Sequence, residues 1–206
     1  MTRDEMLSDL AYARTLAEEG RSAPLLGGAH LSFWGVLVAI AFTGQWAILE
    51  GRLPYFGGAA FASLWMSFGV AAAIGAVLLR QRIGSKPGLT TIGARTEHAV
   101  WSAAGFAIFA VVVGSLARMV MTQDPTAPNA IPGAAFALYG AALFATAEIS
   151  GHVWLKRFAW LSFSAALTLC LFANENWAYL VGAAASLLVL LVPGIILLRR
   201  EPAATA

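Results

Sequence analysis

Hydrophobic residues in this chain are gathered into six long apolar segments, which short polar stretches separate. An apolar run of about 18 residues or more is long enough to cross a bilayer as a helix. The pattern therefore predicts an all-α membrane protein with six transmembrane helices. The predicted spans are Leu31–Leu49, Phe56–Leu79, Ala99–Met121, Ile131–Ala147, Val153–Ala173 and Ala178–Leu198. Pro193 lies inside the last span and cannot donate a hydrogen bond to the carbonyl of Val189, so a kink is expected there.

A polar segment, residues 1–20, precedes the first span. Thr2 and Glu5 have the spacing of a capping box and Gly20 is a typical helix stop, which predicts a short N-terminal helix. Its five acidic residues do not fit a cleavable signal peptide, which needs a basic start and an apolar centre. An acidic helix is not drawn to anionic lipid. We therefore expect it to dock on the basic loop Arg80–Arg95 or to bind a protein partner.

Small residues recur at the even-numbered spans. Gly-Ala-Ala begins at Gly58 in the second span, at Gly133 in the fourth and at Gly182 in the sixth. Small residues let helices approach closely in a bilayer, where lipid supplies no hydrophobic driving force. The even-numbered spans are therefore expected to be the closely packed ones.

The three histidines of the chain mark the odd-numbered spans in the same way. His30, His98 and His152 each precede or open an odd span, and each has a tryptophan soon after it. Together with the glycines, this spacing predicts three αα-hairpin repeats, covering about residues 30–80, 98–148 and 152–198.

Composition supports a single integral membrane domain over residues 1–206. Apolar residues make up 59% of the chain and charged residues 12%, whereas soluble domains carry about a quarter charged residues. Six spans leave no room for a second soluble domain. The single cysteine, Cys170, excludes an intramolecular disulfide and any multi-cysteine metal site.

The distribution of lysine and arginine predicts the orientation. With six spans, only Arg52 and Arg118 fall on one side, which leaves 11 of the 13 basic residues on the other. The positive-inside rule assigns the richer side to the cytoplasm. The prediction is a multi-pass protein of the bacterial inner membrane with both termini in the cytoplasm. The basic residues follow this topology and form no nucleic-acid surface.

Three histidines at equivalent ends of the repeats suggest a metal hypothesis. If His30, His98 and His152 converge, their imidazoles suit zinc or copper with one open position for water. The alternative assigns them ordinary roles at helix ends and at the membrane interface. Apart from this transition metal, the sequence implies no cofactor.

Three other polar residues are candidates for contacts or ligands. Gln45 lies deep in the first span, which predicts an interhelical hydrogen bond. Glu148 lies close to His152, Lys156 and Arg157, which favours a local ion pair. Arg118 is near the end of the third span, where it either extends its charge to the interface or helps to bind an anion or lipid headgroup. The acids available to pair with it are Glu50, Asp124 and Glu175.

Two short stretches resemble uncharacterised six-helix inner-membrane proteins of Gram-negative bacteria. They are Arg21–Gly28 followed by Trp34-Gly35, and Val192-Pro193-Gly194 through Arg199–Pro202. This resemblance implies the six-helix fold and carries no site residue. The hairpin triplication is also similar in architecture to stress-linked six-helix membrane proteins.

No nucleophile elbow, phosphate-binding loop or carboxylate in the middle of a span is present in the sequence. This favours a non-enzymatic protein, a small regulatory, sensory or accessory subunit that binds a protein or lipid partner. One alternative is a carrier or channel for an apolar or weakly polar solute. Another is a metal-dependent membrane enzyme that uses the three histidines. Oligomeric state is left open, including a homo-oligomer.

Overall fold

The computed structural model describes residues 7, 10–12, 14, 27–53, 58–83 and 92–200. This part of the chain is helical and contains no strand. Its helices are α1 (Gly27–Leu49), α2 (Gly58–Ile83), α3 (Ile92–Thr122), α4 (Ala130–Ser150), α5 (Leu155–Leu171), α6 (Ala178–Ser186) and α7 (Val192–Arg200). A 3₁₀ turn, Ala127–Asn129, leads into α4, and a π-helical segment, Leu187–Leu191, joins α6 to α7.

Five helical stretches are long and apolar enough to cross a membrane. They are Gly27–Leu49, Gly58–Gln81, Arg95–Thr122, Ala127–Ser150 and Ala178–Arg200. The prediction of an all-helical chain of membrane-protein type is thus confirmed at this level. α5 has 17 residues and is shorter than these five, so a sixth crossing through α5 stays a prediction.

The predicted N-terminal helix lies mostly outside the described residues. Of residues 1–20, the structure describes 7, 10–12 and 14, which are helical and exposed. Most of the basic loop on which this helix was expected to dock, residues 84–91, is also outside the described part.

The described helices pack as a series in which each contacts the next. α2 packs on α1, α1 lies along α6 and α7, α6 contacts α5, α5 packs on α4, and α4 packs on α3. The pair of α4 and α5 is the most extensive. Aromatic and aliphatic side chains fill the centre, among them Phe42, Phe136, Leu143, Leu169 and Leu190.

Burial is uneven along this series. In the most apolar part of each membrane-length stretch, we compared the share of residues that are buried. It is 50% in the stretch containing α4, 50% in the stretch containing α6 and α7, and 39% in α1. In α2 and α3 the buried share is 6%. The two helices at the ends of the series therefore have few fully buried residues, and the three predicted hairpins are not equivalent in packing.

The glycines expected to pack helices closely do so in two of the three even spans. A side chain at Gly133 would collide with Cys170, and one at Gly182 would stand 2.7 Å from the Phe42 ring. Gly58 and Gly69 in α2 have no atom close to the space that a side chain would fill. Close packing thus occurs in α4 and α6, whereas much of α2 faces outward.

The backbone is irregular just before Pro193. The π-helical segment Leu187–Leu191 ends two residues before this proline, which has no N–H to continue the helical hydrogen bonds. A π-helical turn is one of the ways in which a helix absorbs such an interruption. The segment lies against α1, because a side chain at Gly35 would stand 2.6 Å from the backbone nitrogen of Leu191.

Candidate functional site

A network of polar side chains joins five elements at the end of the bundle where α1 finishes. The indole N–H of Trp65 donates to Gln45 Oε1 at 2.9 Å, and the Gln45 side chain is near enough to the Tyr179 hydroxyl to interact with it. The Tyr179 hydroxyl donates to Asn129 Oδ1 at 3.0 Å, and Asn129 Nδ2 donates to Asn174 Oδ1 at 3.1 Å. These contacts connect α2, α1, α6, the turn before α4 and the loop after α5.

A crevice lies beside this network and is just large enough for about one water molecule. Its lining residues are Asn129, Pro132, Leu169, Ala173, Ala178 and Tyr179. The network and the crevice together suit helix positioning and one bound water. A drug-sized or metabolite-sized solute needs a much larger space, of roughly 300 Å³ or more.

Arg118 is held by an acid in the loop that follows α3. Its guanidinium lies 3.6 Å from Asp124 Oδ2, and 68% of the Arg118 side chain is exposed. The hydroxyl and backbone N–H of Thr126 donate to Asp124 Oδ1 at 2.6 and 2.9 Å. These two bonds, helped by Arg118, hold the pKa of the Asp124 carboxyl below its ordinary value. Another of the acids considered for Arg118, Glu50, accepts instead from Asn176 at 3.1 Å.

At the opposite end of the bundle, Glu148 forms a local ion pair. Its carboxylate contacts Lys156 Nζ across the turn between α4 and α5. The same ammonium lies 5.2 Å from the centre of the Phe144 ring, a cation–π arrangement. Glu148 is thus engaged by a neighbour close in sequence, and this pair helps to hold α4 and α5 together at that end.

Two of the three histidines contact groups that are close to them in sequence. His30 Nε2 accepts from the Trp34 indole at 3.0 Å, and a ring nitrogen of His152 lies 3.0 Å from the carbonyl oxygen of Ser150. His98 is exposed, although it is near enough to His30 for an electrostatic interaction. Within the described ranges, no group of three or more His, Cys, Asp or Glu side chains is placed to hold a metal ion. The metal hypothesis for His30, His98 and His152 stays a prediction.

Two polar groups near the start of α3 are absent from the sequence-based candidates. Glu97 is 3% exposed, and Trp101, one turn later, donates to Thr146 Oγ1 of α4 at 3.0 Å. The predicted third span begins at Ala99, which left Glu97 outside it, whereas α3 begins at Ile92. The available signal was the four-residue spacing of Glu97 and Trp101, which puts them on one helix face.

Small and large apolar side chains recur at regular intervals on the outward face of α3. Three exposed alanines, Ala103, Ala110 and Ala117, recur every seven residues. Large exposed apolar side chains flank them, either three residues after an alanine or one residue before it: Phe106, Phe109, Val113, Leu116 and Val120. We call these eight residues the α3 outer face. A shallow hollow lined by Met119, Val120, Gln123 and Pro125 continues it at the end of the helix.

No protein-family model, curated protein or solved structure matches this chain. Any assignment of function must therefore come from the residues and contacts described above.

Proposed function

We propose that this protein is a small non-enzymatic accessory subunit that binds a helix of another protein within the membrane. The α3 outer face is the binding surface, and the exposed side of α2 extends it. The observation that carries the proposal is the 6% buried share of α2 and α3, against 39% to 50% in the other apolar stretches. A partner that packs on α2 and α3 would bury these faces as fully as the central helices.

The spacing on the α3 outer face supports a helix as the occupant. An apolar pattern repeated every seven residues is the signature of two helices wound around each other. Ala103, Ala110 and Ala117 would let a partner backbone come close, while Phe106 and Val113 would pack on either side of it. Small residues are the usual contact points between helices in lipid, where van der Waals packing replaces the hydrophobic effect.

The topology in which this subunit works is part of the proposal. It has six spans as three hairpins, with both termini on the cytoplasmic side of a bacterial inner membrane. The 11-to-2 division of basic residues supports this orientation. The 17 residues of α5 give a length of about 26 Å. That is close to the roughly 30 Å of a hydrocarbon core, and the flanking turns supply the remainder.

The rival functions have less support. A carrier needs a path for its solute, and the crevice at Asn129 and Tyr179 has room for about one water molecule. A metal-dependent enzyme needs three converging ligands. His98 is near enough to His30 for an electrostatic interaction, but no group of three or more His, Cys, Asp or Glu side chains in the described part of the chain is placed to hold a metal ion.

Co-purification of a tagged full-length chain from its native membranes tests the proposal. Ala110→Leu adds bulk to the α3 outer face, so the partner should be lost. Ala184→Leu makes the same change at an exposed alanine of α6, so the partner should be retained. Retention in the Ala110→Leu variant, or no co-purifying subunit with the unaltered chain, would contradict the proposal.

Residues 1–20 are a second candidate for partner contact. Deleting them in the same co-purification experiment distinguishes binding through residues 1–20 from binding through the α3 outer face. If the partner binds mainly through the α3 outer face, it should co-purify with the shortened chain and should not co-purify with the Ala110→Leu variant. Loss on deletion alone would assign the binding to the acidic N-terminal segment.

A further inference from the structure

The side chain at the end of α7 reaches the turn before α5. Trp154 immediately precedes α5, and Arg200 is the last residue of α7. The Arg200 guanidinium carbon lies 5.3 Å from the centre of the Trp154 ring. Arg157 follows Trp154 by three residues, one helical turn away, so it extends from the same end of the bundle.

Basic residues gather at this end of the bundle. Lys156 is engaged by Glu148. Arg157, Arg199 and Arg200 are exposed, and none of them has an ion-pair partner among the described residues. Guanidinium groups bind phosphate oxygens through paired N–H donors, so arginines at this end of the bundle suit a phosphate group.

A further donor at this position lacks an acceptor. The Trp154 indole nitrogen is buried and has no hydrogen-bond partner in the described part of the chain. Buried polar groups are nearly always hydrogen-bonded. An oxygen atom from a bound ligand or water would complete this one, next to the cation that already lies on the indole ring.

The surface that continues from the arginines into the membrane is apolar. Trp160, one turn beyond Arg157, is 63% exposed, and Leu161 is 40% exposed. Leu198, just before the two terminal arginines of α7, is also 40% exposed. A molecule with a phosphate at the arginines would therefore have its hydrocarbon alongside these side chains.

We propose that Arg157, Arg199 and Arg200 form a binding site for the headgroup of an anionic phospholipid, with the lipid chains on Trp160 and Leu161. Basic clusters at helix ends on the cytoplasmic side of membrane proteins attract anionic lipid. This site is on α5 and α7, away from the α3 outer face. It does not depend on the proposed protein partner.

Native mass spectrometry of the purified full-length protein, mixed with phosphatidylglycerol or phosphatidylcholine, tests this site. The unaltered chain should retain phosphatidylglycerol in preference to phosphatidylcholine. The Arg157→Gln/Arg200→Gln variant should lose that preference by about fivefold for each arginine. If the double variant does not fold, Arg157→Gln alone replaces it, because Arg157 is exposed. That variant should show the loss expected for one arginine.

The opposite end of the bundle offers a matched control. Arg52 lies 5.0 Å from the centre of the Trp46 ring, the same kind of cation–π contact. Arg52→Gln should leave the lipid preference unchanged. An equal loss in Arg52→Gln, or no loss in the Arg157 variants, would overturn the proposal. So would displacement of the lipid by excess inorganic phosphate, because the site would then take a free anion.

Discussion

Gly28 of α1 and Gly194 of α7 face each other where the two helix backbones meet. A Cβ atom at Gly28 would collide with the carbonyl oxygen of Gly194, and one at Gly194 would stand 2.5 Å from Ser32 Oγ. Backbone contact of this kind gives van der Waals packing that lipid cannot replace. The first and last helices are therefore joined by a contact that only the smallest residue permits.

Gly28→Ala should destabilise the protein because its methyl group must displace the backbone of α7. Overpacking of this kind costs about 1–3 kcal/mol. Equilibrium unfolding of the purified protein in increasing sodium dodecyl sulfate measures the change. Gly69→Ala is the matched control, since its methyl group would enter open space. It should be neutral or stabilise by up to about 1 kcal/mol. Equal effects of the two substitutions would contradict the proposed contact.

Gln45→Leu should remove the acceptor of the Trp65 indole and disconnect α2 from the network. Interhelical hydrogen bonds in membranes contribute about 0.6 kcal/mol on average, so the loss of stability should be small. The sharper measurement is the indole N–H resonance of Trp65 in an NMR spectrum, which should move upfield when its bond is lost. Ser67→Ala is the control, because that hydroxyl bonds only to the carbonyl of Ser63 in its own helix. If the Trp65 indole resonance does not shift in the Gln45→Leu variant, the hydrogen bond between Trp65 and Gln45 is contradicted.

The apolar runs predicted the helices but not their places in the bundle. Helices that face lipid and helices that face one another need equally apolar residues, and α2 is as apolar as the centrally packed stretches. Close packing at Gly133 was predictable because it depends on a single residue. At Pro193 a kink was expected, and the structure has a π-helical segment just before it.

The polar contacts were predictable only where the partners are close in sequence. Glu148 and Lys156 lie on either side of the turn between α4 and α5, and an ion pair of Glu148 with a nearby residue was expected. The bond from Tyr179 to Asn129 joins residues 50 positions apart, which no local pattern contains. The partner of Gln45 could not be chosen for the same reason, although a partner was expected.

Labelling of single cysteines tests whether α5 crosses the membrane. In a Cys170→Ala background the chain has no other cysteine. Asn174→Cys, after α5, should react with a membrane-impermeant maleimide added outside intact cells stripped of their outer membrane. Gly151→Cys, before α5, should react only after the inner membrane is opened. Reaction of both positions from the same side would leave five spans and place the termini on opposite sides.

Acid should disrupt the loop after α3 at a pH below the usual carboxylate range. The Thr126 bonds keep the folded-state pKa of Asp124 below its ordinary value of 3.8. The contribution of Asp124 to the stability of the folded state is therefore complete above 3.8, and it is lost as pH falls through the lower folded-state pKa. The backbone amide resonance of Thr126 reports this titration.

Thr126→Val removes the hydroxyl bond to Asp124 and should move the midpoint of that titration upward, toward 3.8. Asp124→Asn should abolish the titration. A midpoint at or above 3.8 in the unaltered protein would show that the Thr126 bonds do not stabilise the carboxylate.

Photo-crosslinking from the α3 outer face tests the central claim most directly. A photoreactive amino acid replaces Val113 in the full-length chain, and a matched variant carries it at Leu167, which is 63% exposed on α5. Irradiation of native membranes should give one discrete adduct of protein mass from position 113, lost when Ala110→Leu is added, and only lipid adducts from position 167. Lipid adducts alone from both positions would contradict a partner helix on α3.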